Sequence, residues 1–136
     1  MTTMEVSLRS IPDTEATLGR AGSHTVAVDL PDGRAGGQGL GFNGGQMLGL
    51  AIGGCLCNDL YYVADDLGVQ LTSVAVDVRV MFEGSPLIAT SANVEVRITA
   101  ADPRADLNAL VRRARSISTV SNSLARGIPV SVSSAK

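Results

Sequence analysis

Polar and apolar residues alternate over Leu71 to Glu83, with Val74, Val76, Val78, Val80 and Phe82 at one parity and Asp77, Arg79 and Glu83 at the other. A period of two puts one set on a buried face and the other in water, so this segment predicts a half-buried strand. After Gly84-Ser85-Pro86 the alternation returns, with Ala92, Val94, Val96 and Ile98 set against Asn93, Glu95, Arg97 and Thr99. A short connection between two such runs predicts an antiparallel pair. Nearer the start, Met4-Val6-Leu8 and Thr25-Val26-Ala27-Val28 also read as strands, and the intervening Gly19-Arg20-Ala21-Gly22 reads as a turn. These predict an antiparallel N-terminal sheet.

From Pro31 to Gly45 the chain is punctuated by Pro-Asp-Gly and recurrent glycine, which is loop chemistry. From about Gln46 to Leu67 apolar residues first cover almost every side. Asn58, Asp59, Asp65 and Asp66 enter late, and Gly68 stands as a C-terminal cap. A helix this apolar is expected to be buried against a sheet or another chain. Asp102-Pro103 then supplies an N-cap and a first-turn proline for a second helix. Its buried face is Leu107, Leu110, Val111, Ala114 and Ile117, with Arg112, Arg113 and Arg115 in the closing turn. Ser118 to Leu124 predicts a short helical turn, and Ile128, Val130 and Val132 a last strand. The fold class is α+β.

A length of 136 residues suits one domain. The net charge of -2, with no basic stripe interleaved with aromatic residues, argues against nucleic acid as a partner. The N-terminus lacks a basic stretch followed by an apolar one, and the apolar run around Met47 to Leu56 looks too short to span a bilayer. A soluble, cytoplasmic protein without membrane association is expected. One histidine and two cysteines make neither a disulfide framework nor a conventional zinc site, and no cofactor is implied.

Gly39-Leu40-Gly41-Phe42-Asn43-Gly44 has the G-x-G-x-x-G spelling ahead of a helix. It lacks a preceding apolar strand, a βαβ repeat and a following acidic residue that closes a second strand, so it reads as a flexible glycine loop. Cys55 is a candidate nucleophile if a cation stabilises its thiolate, or else a small packed hydrophobe. Cys57 is about 200° away around a helix, so the two are not expected to form a disulfide in place, and Cys57 reads as packing. His24 reads as an ordinary surface or half-buried histidine. Asp59, one turn after Cys55, would disfavour a thiolate there as an anion, and reads as part of a solvated helix face.

Four strings, in this order, carry a resemblance over nearly the whole chain: Thr17-Leu18-Gly19-Arg20, Asn43-Gly44-Gly45-Gln46-Met47-Leu48, Gly54-Cys55 and Ile117-Ser118-Thr119-Val120-Ser121-Asn122. The chain resembles the OsmC/Ohr family of small thiol peroxidases that protect bacteria against organic hydroperoxides. The resemblance implies a single OsmC-like domain over residues 1–136, with antiparallel sheets wrapping a long buried central helix in an intertwined homodimer. In the family's peroxidases a reactive cysteine, paired with arginine and glutamate, is oxidised to a sulfenic acid that a second cysteine captures as a disulfide. A lipoyl dithiol commonly reduces that disulfide.

Carried over by position, Cys55 matches the reactive cysteine and Arg20 the arginine that favours its thiolate. Gly45 stands in place of the glutamate and Ser118 in place of the resolving cysteine. A hydroxyl cannot form a disulfide, so the resemblance implies at most one-cysteine peroxide reduction through Cys55, stabilised by Arg20 and reset by an external thiol. The alternative is a non-catalytic dimeric protein that holds a small lipophilic ligand around Met47, Leu48, Ile52 and Leu56.

Overall fold

A computed structural model describes residues 1–135. The chain divides into two compact units, Met1–Leu48 and the part from Gly49 onward.

In the first unit, β1 (Ser7–Ser10), β2 (Thr17–Ala21) and β3 (His24–Val28) form an antiparallel sheet in the order β1-β2-β3. Leu8 faces Gly19, and Leu18 faces Ala27 across the two ladders. An antiparallel N-terminal sheet forms as expected, but its first strand begins only at Ser7, and a third strand, β2, runs where a turn was expected. Gly19 and Arg20 lie inside β2, and the reversal falls after Ala21, where Gly22 has φ 60°. A tight reversal needs a residue that tolerates positive φ, which Gly22 supplies without strain. Gly19 serves closeness instead, since a Cβ there would sit 3.3 Å from Val26 Cγ1.

The glycine-rich segment after β3 is tied down, in contrast to the flexible loop expected from its composition. Asp29 is buried and accepts three backbone N–H groups, from Leu30 at 2.7 Å, Gln38 at 3.1 Å and Leu40 at 3.0 Å. Further along, Phe42 N–H donates to the Ala27 carbonyl at 3.1 Å, and Asp29 N–H donates to that of Phe42. Gly41 therefore lies flat on the strand, where any Cβ would come within 2.0 Å of the Ala27 oxygen. The loop behaves as a fourth edge built around one carboxylate.

Helix α1 (Gly44–Asp66) follows. Asn43 Oδ1 accepts from Gln46 N–H at 2.9 Å while Gln46 Oε1 accepts from Asn43 N–H at 3.0 Å, a reciprocal pair that satisfies two donors at the helix start. Gly68, at φ 65°, ends the helix as expected, with Val69 N–H returning to the Ala64 carbonyl at 2.8 Å. With 23 residues, α1 is long and apolar enough to cross a bilayer by length and composition alone, so the short Met47 to Leu56 run understated it. Its buried stripe of Leu56, Leu60, Val63 and Ala64 nevertheless packs inside the second unit's core.

In the second unit, β4 (Leu71–Glu83) and β5 (Ile88–Ala100) make the expected hairpin, with Val76 opposite Val96 and Val78 opposite Val94. Leu110 and Ala114 of α2 (Leu107–Ile117) complete the core with the α1 stripe, and Val74, Val76, Val96 and Ile98 pack against it. Gly53 lets α1 approach the hairpin closely, since a Cβ there would meet Val78 Cγ2 at 2.9 Å. On the opposite face of the hairpin, Arg97 bridges Asp77 and Glu95 in water.

Two expectations fail here. Helix α2 starts at Leu107, capped by Asp106, whose side chain accepts from Ala109 N–H at 3.0 Å. Asp102 instead turns back onto Arg104 N–H at 2.9 Å, making a separate turn around Pro103. Asp106 caps the helix one turn ahead of Leu110, and Leu110 and Ala114, a turn apart, are its two core residues. The second failure is the last strand. Helix α3 (Thr119–Arg126) forms, but Ile128, Val130 and Val132 beyond it pair with no strand among the described residues and are 64%, 80% and 93% exposed. Pro129 also removes a ladder donor from the middle of that run.

Candidate functional site

Helical geometry puts residues four apart on one face, so Cys55 and Asp59 of α1 are neighbours. Asp59 Oδ2 lies 3.7 Å from Cys55 Sγ and accepts from its thiol, a contact lengthened by the size of sulfur. Ser118 Oγ donates to the same sulfur at 3.8 Å. Ser118 is the extended residue between α2 and α3, with φ −68° and ψ 108°. Its N–H donates to the Arg115 carbonyl and its carbonyl accepts from Asn122, so both helix ends fix the backbone that aims the hydroxyl. Ser118 is 1% exposed and Asp59 8% exposed, while Cys55 is half-buried. A thiol is thus held between a hydroxyl donor and a carboxylate, with part of its surface still accessible.

Asp59 corrects the sequence reading, which placed it on a solvated face. It belongs to the stripe of Ile52, Leu56, Leu60 and Val63. The phase of that stripe was the available signal, since Asp59 stands three after Leu56 and four after Cys55. Burial of a carboxylate usually comes with a cation. The ion pairs among the described residues engage Asp66, Asp77, Glu95 and Asp102, not Asp59.

Of the other sequence candidates, Cys57 is half-buried and forms no disulfide with Cys55. Ile52 and Leu56 are packed at 4% and 7% exposure, Leu56 within the second unit's core, while Met47 lies in the first unit. In the first unit, Arg20 is exposed on β2 opposite Thr25, and His24 is exposed at the start of β3. Both flank an open apolar groove of about 220 Å³ walled by Val6, Leu8, Val26, Val28 and Met47. The G-x-G-x-x-G segment has no free cradle for phosphate. Its Leu40 N–H serves Asp29, its Phe42 N–H serves Ala27 and its Asn43 N–H serves Gln46. Among the described residues no cluster of histidine, cysteine, aspartate and glutamate is arranged to hold a metal ion.

Solved structures share this fold at low identity. An OsmC-like protein from Mycoplasma pneumoniae aligns with TM-score 0.75 and 12% identity, covering 91% of this chain and 88% of that one. An organic hydroperoxide resistance protein OsmC from Legionella pneumophila aligns with TM-score 0.63 and 18% identity, over 91% of this chain and 90% of that one. The organic hydroperoxide resistance protein OhrB of Bacillus subtilis aligns with TM-score 0.58 and 19% identity, over 90% of each. No curated protein sequence matches the chain. The family model described as OsmC-like protein matches residues 36–133, which takes in most of the glycine-rich segment, α1, the hairpin, α2 and α3. With that match over most of its length, and the same antiparallel α+β architecture in the solved structures, the chain belongs to the OsmC-like protein family.

Proposed function

We propose that this protein is a cytoplasmic, homodimeric member of the family that reacts with organic hydroperoxides through Cys55 alone. The observation that carries the proposal is the neighbour of the sulfur. At 3.8 Å from Cys55 Sγ, where a second thiol would be needed for an internal disulfide, stands the hydroxyl of Ser118. A hydroxyl donates a hydrogen bond to sulfur but cannot be oxidised to an S–S bond. The Cys55 sulfur attacks the terminal peroxide oxygen, the O–O bond breaks, an alcohol leaves and Cys55 becomes a sulfenic acid. An external thiol then attacks that sulfur and expels water, and a second thiol equivalent releases Cys55. Arg20 is assigned as the cation that favours the thiolate as the thiol proton leaves, and its guanidinium is not engaged in the ion pairs among the described residues. The dimer is supported by apolar side chains left in water on α1 and at the C-terminal end, including Leu50, Tyr61, Tyr62 and Val130.

Purified protein supplied with an organic hydroperoxide and a small dithiol should consume peroxide, and Cys55→Ser should abolish the consumption. Turnover that survives the substitution overturns the proposal.

The groove beside Arg20 favours a second reading, a non-catalytic carrier of a small lipophilic molecule. Native mass spectrometry would then find a stoichiometric ligand in the purified protein, and Cys55 would resist alkylation under native conditions.

A further inference from the structure

We infer that Asp59 is the proton relay of Cys55, taking the thiol proton during attack and returning it to the departing alkoxide. The inference rests on the one-cysteine reading above and assigns a role to a residue that the reading does not use. Its basis is the position of a carboxylate that the fold has no evident need for. Asp59 lies on the stripe that packs the second unit, is 8% exposed, and has Cys55 as its side-chain hydrogen-bond partner. A carboxylate in that setting without a cation weakens the core, and an apolar residue or a neutral amide would be less costly to bury. Groups that cost stability and touch a nucleophile belong to function more often than to packing.

The chemistry balances with no added reactant. The thiol sulfur forms a bond to the terminal oxygen of the hydroperoxide, which keeps its own hydrogen and becomes the sulfenic O–H. The O–O bond breaks and its electron pair leaves on the alkoxide oxygen. The proton taken from sulfur by Asp59 Oδ2 passes to that oxygen, giving the alcohol and restoring the carboxylate. Sulfur loses two electrons and the peroxide gains two. Ser118 donates to the same sulfur whose thiol donates to Asp59, so the sulfur's acceptor and donor roles are both occupied. Transfer of one proton by a positioned group contributes about 100-fold or more to such a step.

The test compares the full-length protein with Asp59→Asn and Asp59→Glu at pH 7, using three readouts: the rate of Cys55 oxidation by cumene hydroperoxide, the rate of alkylation by iodoacetamide, and the melting temperature. Asparagine keeps the shape and removes the acceptor. The peroxide rate should fall by at least about tenfold in Asp59→Asn and recover in part with glutamate. Alkylation, which releases iodide and needs no proton returned to its leaving group, should be slowed less than oxidation. The melting temperature should hold or rise. A merely structural role would lower the melting temperature and slow both reactions together, and that result overturns the relay. If the wild type oxidises and Asp59→Asn does so equally fast, the relay is wrong and the one-cysteine reading stands. If the wild type alkylates but is not oxidised by the hydroperoxide, both fall.

Discussion

Ser118 Oγ lies 3.8 Å from Cys55 Sγ although 63 positions separate the two residues. Cys55 is carried by the long helix α1, and Ser118 by the break between α2 and α3. The hydroxyl is 1% exposed, so its place beside the sulfur is a product of core packing and not of a mobile surface.

Replacing that oxygen by sulfur should change the course of oxidation. Ser118→Cys places a third thiol in a chain that otherwise has two. The two sulfurs need only close from contact distance to the S–S length of about 2.05 Å. One equivalent of organic hydroperoxide should leave one titratable thiol per chain and yield a peptide linking positions 55 and 118 on mass spectrometry. Recovery of Cys55 as a sulfenic or mixed-disulfide species, with the introduced thiol still reduced, would show that the backbone geometry at this junction forbids closure.

The carboxylate of Asp29 should make the first unit sensitive to acid. The N–H of Leu40 holds its pKa below the ordinary value, with further lowering by Gln38 and Leu30, while burial opposes them. A depressed folded pKa contributes stability that is present above the unfolded value and is lost as pH falls through the folded one. The wild type should therefore lose denaturant resistance steeply below about pH 4. Asp29→Ala should be weaker than wild type at pH 7, and the gap should narrow over the same acid range. A constant gap from pH 7 to pH 3 would mean that Asp29 acts through shape and not through its charge.

Two glycines of α1 should respond oppositely to alanine. At Gly53 the new methyl would meet Val78 Cγ2 at 2.9 Å, whereas at Gly49 it would meet Val80 Cγ2 at an ordinary 3.5 Å. Crowding a packed helix-to-sheet contact costs about 1–3 kcal/mol. Removing a glycine from an unstrained helix interior returns about 0.5–1 kcal/mol. Chemical denaturation should thus rank Gly49→Ala above wild type and Gly53→Ala below it. Equal stability of the two variants would show that the helix can shift away from the hairpin at little cost.

Local patterns made the elements readable. The alternation in Leu71–Glu83 and the Gly68 stop reproduce the observed strand and helix end, because pleat period and left-handed caps act within a few residues. The helix start was read two residues late, at Gln46, whereas Asn43 and Gln46 cap one another and the helix begins at Gly44. Choices among equivalent local signals were not legible. Asp102 and Asp106 both spell an N-cap, and the sequence reading chose the first. The fold uses the second, because only the core decides where Leu110 and Ala114 must arrive. In the same way, Gly19 and Gly22 both permit a turn, and the register with Val26 selects Gly22.

The sequence by itself determined the α+β class, the run from the central helix through the hairpin to the two closing helices, and the interest of Cys55. Each follows from short-range periodicity or from strings whose order resembles a known family. The surroundings of that cysteine were decided by tertiary structure. Burial of Asp59 depends on which face of α1 the hairpin and α2 cover, and the Ser118 contact requires two helices to end against a third. The phase of the α1 stripe marks the face that carries Asp59, but what covers that face, like the Ser118 contact, is set by packing between segments far apart in the chain.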